Sequence, residues 1–310
     1  SNAMSDQRLK DIVPFVASVE EGSFAAAAER LHLTGSAISK SISRLEARLG
    51  SRLLERTTRR LTLTDAGQAY FQTCIRILEE LAEAESVLAA HRSIPSGRLR
   101  LAVPTTYGRL GVMPALIPFC QQHPEIDLSI TFSDRFVDLF DEGIDVAVRI
   151  GLGGDLPVSI GHRQLGREKM VFCASPDYLR REGTPQNEAQ LLRHRAILYE
   201  RVDGSSKPWL LLTEDGHPEW RSVPYRMTLG DVDAQRHALC AGLGVGQMPT
   251  WLVHQQLARG ELVILLPHQQ PDGLPLSLVW PRRKQLLPKV DALLSALEQL
   301  VIAPPLALDP

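Results

Sequence analysis

The segment between residues 66 and 91 constrains the fold of this 310-residue chain more than any other. It contains no proline, and its one glycine, Gly67, lies near its start. Apolar residues recur along it at helical spacing, which predicts one helix that is too long for a single small domain to cover. Its apolar seam consists of Ile75, Leu78, Leu81, Ala82, Leu88 and Ala89. We expect this seam to pair with a second copy of the chain; the alternative is that it packs only on its own chain.

The charges of the chain are segregated, although they sum to only −2. Between Arg30 and Arg60 there are eight basic residues and two acidic ones, whereas residues 65–92 are net acidic. Affinity for a phosphate backbone needs clustered Lys and Arg. The distribution therefore favours a nucleic-acid-binding module ahead of the long helix, and the alternative is a solvated basic surface.

Three short helices are predicted in this basic module. The first ends at Gly22, with Pro14 in its first turn if it begins near Asp11 and at a kink if it begins earlier. The second spans 24–31 behind Ser23 as its N-cap, and a tight turn follows. The third is capped by Thr34 or Ser36, runs to residue 49, and has an apolar stripe opposite a polar, basic face. That stripe consists of Ala37, Ile38, Ile42, Leu45 and Leu49.

Two short strands, near 53–56 and 61–64, are predicted around an arginine-rich tip at residues 57–60. A helix-turn-helix followed by such a hairpin, or wing, is suited to DNA: the last helix enters the major groove, and the wing meets phosphates or the minor groove.

Four stretches in this order resemble the winged helix-turn-helix signature of LysR-type transcriptional regulators: Gly22–Ala28, Leu33–Ser39, Ile42–Gly50 and Leu53–Gly67. The resemblance implies a regulator of transcription that binds double-stranded DNA. It also implies homodimers formed through the linker helix, homotetramers built from them, and a small-molecule effector.

Within the module, base-edge contacts are predicted for Ser36, Ser39 and Lys40, near the start of the third helix. Backbone-positioning or minor-groove contacts are predicted for Arg44, Arg56, Arg59 and Arg60. The alternative for the serines is helix capping or plain surface. For Arg48 and Arg52, pairing with Glu46 or Glu55 is favoured over DNA contact.

The remainder of the chain alternates strands and helices, which predicts a parallel α/β sheet in each of two halves. Helices are expected at 107–122 and 136–142, and residues 275–280 are expected to return the chain to the first half. This pattern resembles the two-lobed, periplasmic-binding-protein-like effector domain of the same family. The phrases Val103–Gly108 and Asp145–Gly151 resemble a subgroup that includes regulators of adhesion and of redox-linked genes.

The predicted fold is therefore α+β and multidomain. It comprises a winged helix-turn-helix domain (4–64), a dimerising linker helix (65–92) and an effector-binding domain (93–310). Residues 1–3 resemble a tag remnant and are left outside the first domain.

An effector site is expected between the two lobes, at the carboxyl ends of strands. The candidate residues are Thr105, Thr106, Ser133, Arg149, Asp231, Gln247 and Met248. Hydroxyls together with the Arg149 guanidinium would suit a carboxylate or another anion. The alternative for Arg149 is a structural ion pair, and for Asp231 it is helix capping.

Several classes of protein are disfavoured by the residues. The four cysteines are too far apart for a zinc or redox motif, no apolar run is long enough for a membrane span, and no signal peptide is visible. The glycines at 242–246 follow a helix and lead into a strand, the reverse of a dinucleotide fingerprint. We therefore predict a cytoplasmic protein with no cofactor, no metal site and no enzymatic activity. The rival hypotheses are an enzyme fused to a DNA-binding domain and a solute-binding protein.

Overall fold

The computed structural model describes residues 2–57, 60–89, 94–151 and 154–306, without the side chains of residues 2–6, 56, 57, 60 and 89. The chain divides into two compact units between Ala89 and Ala90. Among the described residues, no helix is both long and apolar enough to cross a membrane.

The first unit is a helix-turn-helix with a wing and a long final helix. Its elements are α1 (Asn2–Glu21), α2 (Phe24–Leu31), α3 (Gly35–Leu49), β1 (Leu54–Thr57), β2 (Arg60–Leu63) and α4 (Asp65–Ala89). The strands β1 and β2 pair antiparallel, as the wing prediction requires. The predicted bounds of α2 and α3 and the predicted start of α4 are confirmed to within two residues, and the predicted end of α4 near residue 91 lies outside the described residues.

The core of this unit lies between α1, α3 and the start of α4. Phe15 on α1 is fully buried and packs against the rings of Tyr70 and Phe71 on α4. The buried apolar face of α3 contributes Ile38, Ile42 and Leu45, each at most 1% exposed. The prediction that Leu49 joins this face is wrong: Leu49 is the last residue of the helix, before the C-cap Gly50, and it is 37% exposed.

Two local predictions for α1 and α3 are resolved by the geometry. The helix α1 begins at Asn2, so Pro14 lies in its interior and removes one helical hydrogen bond. Thr34, not Ser36, caps α3, because its hydroxyl accepts a hydrogen bond from the amide N–H of Ala37 at 3.1 Å.

The second unit is a two-lobed α/β structure. Its strands are β3 (Gly97–Val103), β4 (Ile126–Phe132), β5 (Val146–Ile150), β6 (Ile160–Ala174), β7 (Ala196–Tyr199), β8 (Trp209–Leu212), β9 (Pro218–Arg221), β10 (Tyr225–Leu229), β11 (Gly246–Pro249), β12 (Val263–Leu265) and β13 (Asp272–Pro281). Its helices are α5 (Thr105–Tyr107), a π-helical stretch (Gly108–Val112), α6 (Met113–Gln122), α7 (Pro176–Glu182), α8 (Glu188–Leu191), α9 (Val232–Cys240), α10 (Thr250–Ala258), a 3-10 stretch (Arg282–Leu286) and α11 (Pro288–Leu297).

The lobes are joined through β6, a strand that the sequence analysis missed. In the first lobe β3 pairs parallel with β4 and β5, and β13 pairs antiparallel with β5 and with the first part of β6. The last part of β6 pairs with β11 and β12 in the second lobe. The predicted return of residues 275–280 to the first lobe is confirmed, although the sheet is mixed and not wholly parallel.

The predicted helix at 136–142 is wrong. The carboxylate of Asp138 accepts hydrogen bonds from the amides of Phe140 and Asp141, both at 3.0 Å. An aspartate that bonds to its own following backbone favours a turn over a helix, and the segment forms turns.

Candidate nucleic-acid interface and ligand cavity

The outer face of α3 carries the predicted nucleic-acid contacts. Ser36, Lys40 and Arg44 are exposed and lie four residues apart, so they form one stripe along the helix. Ser39 is half-buried beside that stripe. Because the opposite face packs into the core, the stripe belongs to the face of α3 that is accessible to a partner.

The position of α3 is fixed by two buried carboxylates. Glu46 is 8% exposed, and its Oε2 accepts a hydrogen bond from the amide of Leu53 at 2.8 Å, which ties the end of α3 to the start of the wing. Asp11 is 2% exposed and lies 3.8 Å from Nε of Arg48. The predicted pairing of Arg48 with Glu46 or Glu55 is therefore wrong: Arg48 pairs across to α1, while Arg52 is exposed.

The remaining predicted contacts belong to the wing. Arg56 and Arg60 lie on its two strands, at register positions opposite Leu61 and Thr57. Their side chains, and the whole of Arg59, lie outside the described residues.

A cavity of about 460 Å³ lies between the two lobes of the second unit. The structure brings six of the seven predicted effector residues to its lining: Thr106, Ser133, Arg149, Asp231, Gln247 and Met248. Thr105 is not among the lining residues, and its amide N–H donates to Oδ1 of Asp134 at 3.0 Å. The volume is in the range of small-molecule sites in proteins.

Arg149 is a buried cation in this cavity. Its side chain donates to the backbone carbonyls of Arg135 and Val137, both at 3.3 Å, and it lies over the ring of Phe136. It forms no ion pair with any carboxylate of the described residues, so the structural alternative is not realised there. Burial lowers the pKa of this guanidinium. Glu142 attracts this charge from a distance but forms its ion pair with Arg135. A desolvated cation without an ion pair of its own favours an anionic ligand.

The polar residues of the second lobe that were predicted to bind effector, Asp231 and Gln247, already form hydrogen bonds with the backbone. Asp231 caps α9, because its Oδ1 accepts from the amide of Ala234 at 2.7 Å. Gln247 uses both atoms of its amide on Leu210: its Oε1 accepts from the N–H at 2.9 Å and its Nε2 donates to the carbonyl at 2.7 Å. Asp231 and Gln247 therefore hold the walls of the cavity in place.

A second glutamine repeats this arrangement one step along β8. Gln269 is 6% exposed, and its amide accepts from the N–H of Leu212 at 2.8 Å and donates to the carbonyl of Leu212 at 2.9 Å. The other edge of β8 pairs with β9. The two glutamine amides thus occupy the places that a third strand would take.

Sequence reasoning missed four charged residues of the lining: Asp134 and Arg201, which are exposed, and Glu168 and Lys207, which are withdrawn from solvent. Glu168 on β6 is 5% exposed, and its two carboxylate oxygens accept from Nε1 of Trp251 at 2.8 Å and from the amide of Leu274 at 3.1 Å. Burial raises its pKa. Lys207 precedes β8, and burial lowers the pKa of its ammonium group. Neither Glu168 nor Lys207 lies in a motif, and each belongs to a strand or loop that the sequence pattern did not predict.

The two units match two models of one family. Residues 9–68 match the bacterial regulatory helix-turn-helix protein model of the lysR family, and residues 92–301 match the LysR substrate binding domain. The chain belongs to the LysR family of DNA-binding transcriptional regulators, and its second unit is an effector-binding domain of that family. The resemblance inferred from the motifs is confirmed.

Named relatives and solved structures agree with this membership. The chain is 35% identical over 266 residues to the transcriptional regulator CrgA of Neisseria meningitidis serogroup C, which covers 85% of this chain and 86% of CrgA. It is 33% identical over 293 residues to the transcriptional activator AaeR of Escherichia coli K12, covering 94% of this chain and 93% of AaeR. Both names describe regulators of transcription and not enzymes.

Two full-length structures are similar along almost the whole chain. CrgA from Neisseria meningitidis, a LysR-type transcriptional regulator, aligns with a TM-score of 0.59 at 32% identity, covering 94% of this chain and 97% of that one. The Vibrio cholerae virulence activator AphB aligns with a TM-score of 0.58 at 27% identity, covering 93% and 97%.

Proposed function

We propose that this regulator binds operator DNA as a dimer and that an anionic small molecule in the lobe cavity changes how it sits on, or bends, that DNA. Residues 4–64 would read the DNA, residues 65–92 would dimerise, and residues 93–310 would bind the effector. A bacterial protein that binds operator DNA must have access to the chromosome, which lies in the cytoplasm. This supports the cytoplasmic location predicted from the sequence.

The observation that carries the effector proposal is Arg149. It is 5% exposed, lines the cavity, and has only backbone carbonyls and an aromatic ring as described partners. An anion in the cavity would give Arg149 an ion-pair partner, and Thr106 and Ser133 line the same cavity.

The DNA proposal rests on the exposed α3 stripe. Ser36, Ser39 and Lys40 near the start of the helix are proposed to reach base edges, and Arg44 to contact phosphate. Arg56, Arg59 and Arg60 of the wing are proposed as further phosphate or minor-groove contacts. A titration of the full chain against the DNA upstream of its own gene tests this, because binding should weaken steeply as salt is raised. Binding that is insensitive to salt would contradict it.

The dimer proposal rests on the second half of α4. Its first half packs on the core of the first unit through residues such as Cys74, which is 1% exposed. Beyond it Leu81 is 49% exposed and Leu88 is 85% exposed. We expect Leu81→Asp combined with Leu88→Asp to shift the chain toward monomer in analytical ultracentrifugation. An unchanged sedimentation coefficient would contradict dimerisation through α4, and the same run on the parent chain would distinguish dimers from the proposed tetramers.

The effector proposal is tested by thermal unfolding of the full chain with hexanoate, heptanoate, benzoate and their dicarboxylic counterparts adipate, pimelate and terephthalate. A carboxylate that binds the native cavity should raise Tm, and Arg149→Met should abolish the shift. Neutral amides of the same acids are the control. Equal stabilisation by acid and amide would contradict an anionic effector.

A further inference from the structure

The lobe cavity has a second cation, and it comes from the other lobe. Arg149 is the second-last residue of β5 in the first lobe, whereas Lys207 precedes β8 in the second, and both line the cavity. The ammonium group of Lys207 forms no hydrogen bond or ion pair with a described residue. Both cations lack a hydrogen-bonded carboxylate among the described residues, although Glu168 lies near enough to Lys207 to attract its charge.

The acceptors around Lys207 are already in use. Both oxygens of the neighbouring Glu168 accept hydrogen bonds, from Trp251 and from the backbone of Leu274. The amide of Gln247 is committed to Leu210. The ammonium group of Lys207 therefore has no hydrogen-bond acceptor among the described residues, so this wall suits an acceptor group from outside the protein.

Lys207 is better placed for this role than the other cation that the second lobe contributes to the cavity. Arg201 also lines the cavity, but it is exposed, and its side chain donates to Oγ of Ser205 at 3.5 Å. Lys207 is half-buried, and burial lowers its pKa. Its segment is also held, because the Gln247 amide fixes Leu210 three residues further on.

Much of the cavity lining is apolar and aromatic, and the lining also includes Asp134, Glu168 and Asp231. The apolar and aromatic residues include Ile150, Met170, Met248, Trp209 and Trp251. A ligand body that fills this part of the cavity therefore needs few polar groups, since these walls offer hydrophobic contact.

From these contacts we infer that the effector has two anionic ends on an apolar body, as in a dicarboxylate, with one end at Arg149 and the other at Lys207. This inference rests on the proposed function, because it assigns the class of ligand to the same cavity. It adds a second anion site, on the second lobe, to the one proposed at Arg149. A ligand held at both ends would also bridge the lobes and so stabilise one arrangement of them.

The experiment is isothermal titration of the full chain with matched pairs of acids: adipate against hexanoate, pimelate against heptanoate, and terephthalate against benzoate. One charge-assisted contact is worth roughly a tenfold gain in affinity. We expect at least one diacid to bind about tenfold more tightly than its monoacid. Lys207→Met should reduce that ratio to about one without changing the affinity for the monoacid, and Lys207→Arg should retain most of it.

The matched control is Lys169→Met. Lys169→Met changes the net charge by the same amount as Lys207→Met. Lys169 lies on β6, pairs with Asp272 at 2.7 Å, and is not among the residues that line the cavity. A Lys169→Met chain should keep the parent preference for diacids. An equal fall in that preference for both variants would overturn the assignment to Lys207.

The outcomes separate this inference from the proposed function. Monoacid binding that depends on Arg149, with no preference for any diacid, overturns the two-ended ligand and leaves the anionic effector in place. An absence of binding by every acid overturns both. Salt-dependent DNA binding by the same protein preparation remains an independent readout of its folding and of its role on DNA.

Discussion

The α3 stripe and the lobe cavity both present cations, but they do so in opposite ways. On α3, Lys40 and Arg44 are exposed, close in sequence and mounted on one helix. In the cavity, Arg149 and Lys207 are withdrawn from solvent and come from elements far apart in the chain. An exposed cation is screened by salt and binds anions with little selectivity, whereas a desolvated cation binds few ligands but discriminates among them. The first arrangement suits a polyanion, and the second suits a particular small molecule.

The largest expected effect is the loss of ligand affinity when Arg149 in the cavity is replaced, with DNA affinity unchanged. Arg149→Met removes a buried cation, and we expect an anion that binds the cavity to lose affinity by about 10- to 100-fold, since a hydrogen bond to a charged group is worth about 1.5–3 kcal/mol. The affinity of the ligand-free protein for operator DNA should stay within about twofold, because Arg149 lies in the lobe cavity and is not one of the proposed DNA contacts. Isothermal titration and fluorescence anisotropy measure the two affinities. A large loss of DNA affinity with ligand binding intact would refute the separation of roles.

The effect at Lys40 should be smaller and should depend on salt. Lys40→Ala is expected to weaken DNA binding by about 1 kcal/mol and to reduce the slope of log affinity against log salt by about one. The matched control is Arg30→Ala on α2, because Arg30 already pairs with Glu20 at 3.1 Å and Glu21 at 3.3 Å. Equal losses for the two variants would show that overall charge, and not the α3 stripe, governs binding.

A loss of folding stability is expected when the contact between Gln269 and the backbone of β8 is removed. Gln269→Leu leaves the N–H and carbonyl of Leu212 without partners, which should cost about 1–3 kcal/mol of unfolding free energy. Gln269→Glu keeps an acceptor for the N–H but places a carboxylate oxygen against the carbonyl oxygen of Leu212, so it should also unfold at a lower denaturant concentration than the parent. Chemical denaturation measures both. A variant as stable as the parent would mean that the hairpin does not depend on this side chain.

The smallest expected effect is on the pH dependence of the unfolding free energy, to which Glu168 contributes. Burial raises its pKa in the folded state above the unfolded value. Its contribution to stability is therefore present at pH values below the unfolded pKa and is lost as pH rises through the folded pKa. Glu168→Gln should flatten that part of the profile of unfolding free energy against pH. A profile that keeps its slope in the variant would assign the dependence to another group.

The difference between the two regions also explains how far the sequence could be interpreted. Caps and helical stripes depend on neighbours along the chain, so Ser23, Thr34 and the bounds of α2 and α3 could be predicted. The cavity depends on pairings between distant strands. Arg149 and Ser133 could be predicted because they lie at the ends of β5 and β4, which have apolar sequences, whereas Glu168 lies on β6, whose exposure alternates irregularly along most of its length.

Predicted roles failed where a polar side chain had a choice of partners. The sequence places Gln247 at a strand end beside the cavity, which is correct, but it does not reveal that the backbone of Leu210 will lie within hydrogen-bonding distance. In the same way, Arg48 has carboxylates near it in sequence, yet its partner Asp11 comes from another helix. Such choices are made by tertiary packing, which no local pattern encodes.

The paired glutamine amides on β8 have a consequence for how this protein behaves in a crowded solution. An uncovered strand edge is a template onto which another polypeptide can add, and this is a common route to aggregation. Because Gln247 and Gln269 saturate the outward N–H and carbonyl groups of Leu210 and Leu212, a foreign strand finds no hydrogen-bonding positions there. The hairpin β8–β9 can therefore stand outside the main sheet without exposing that edge to self-association.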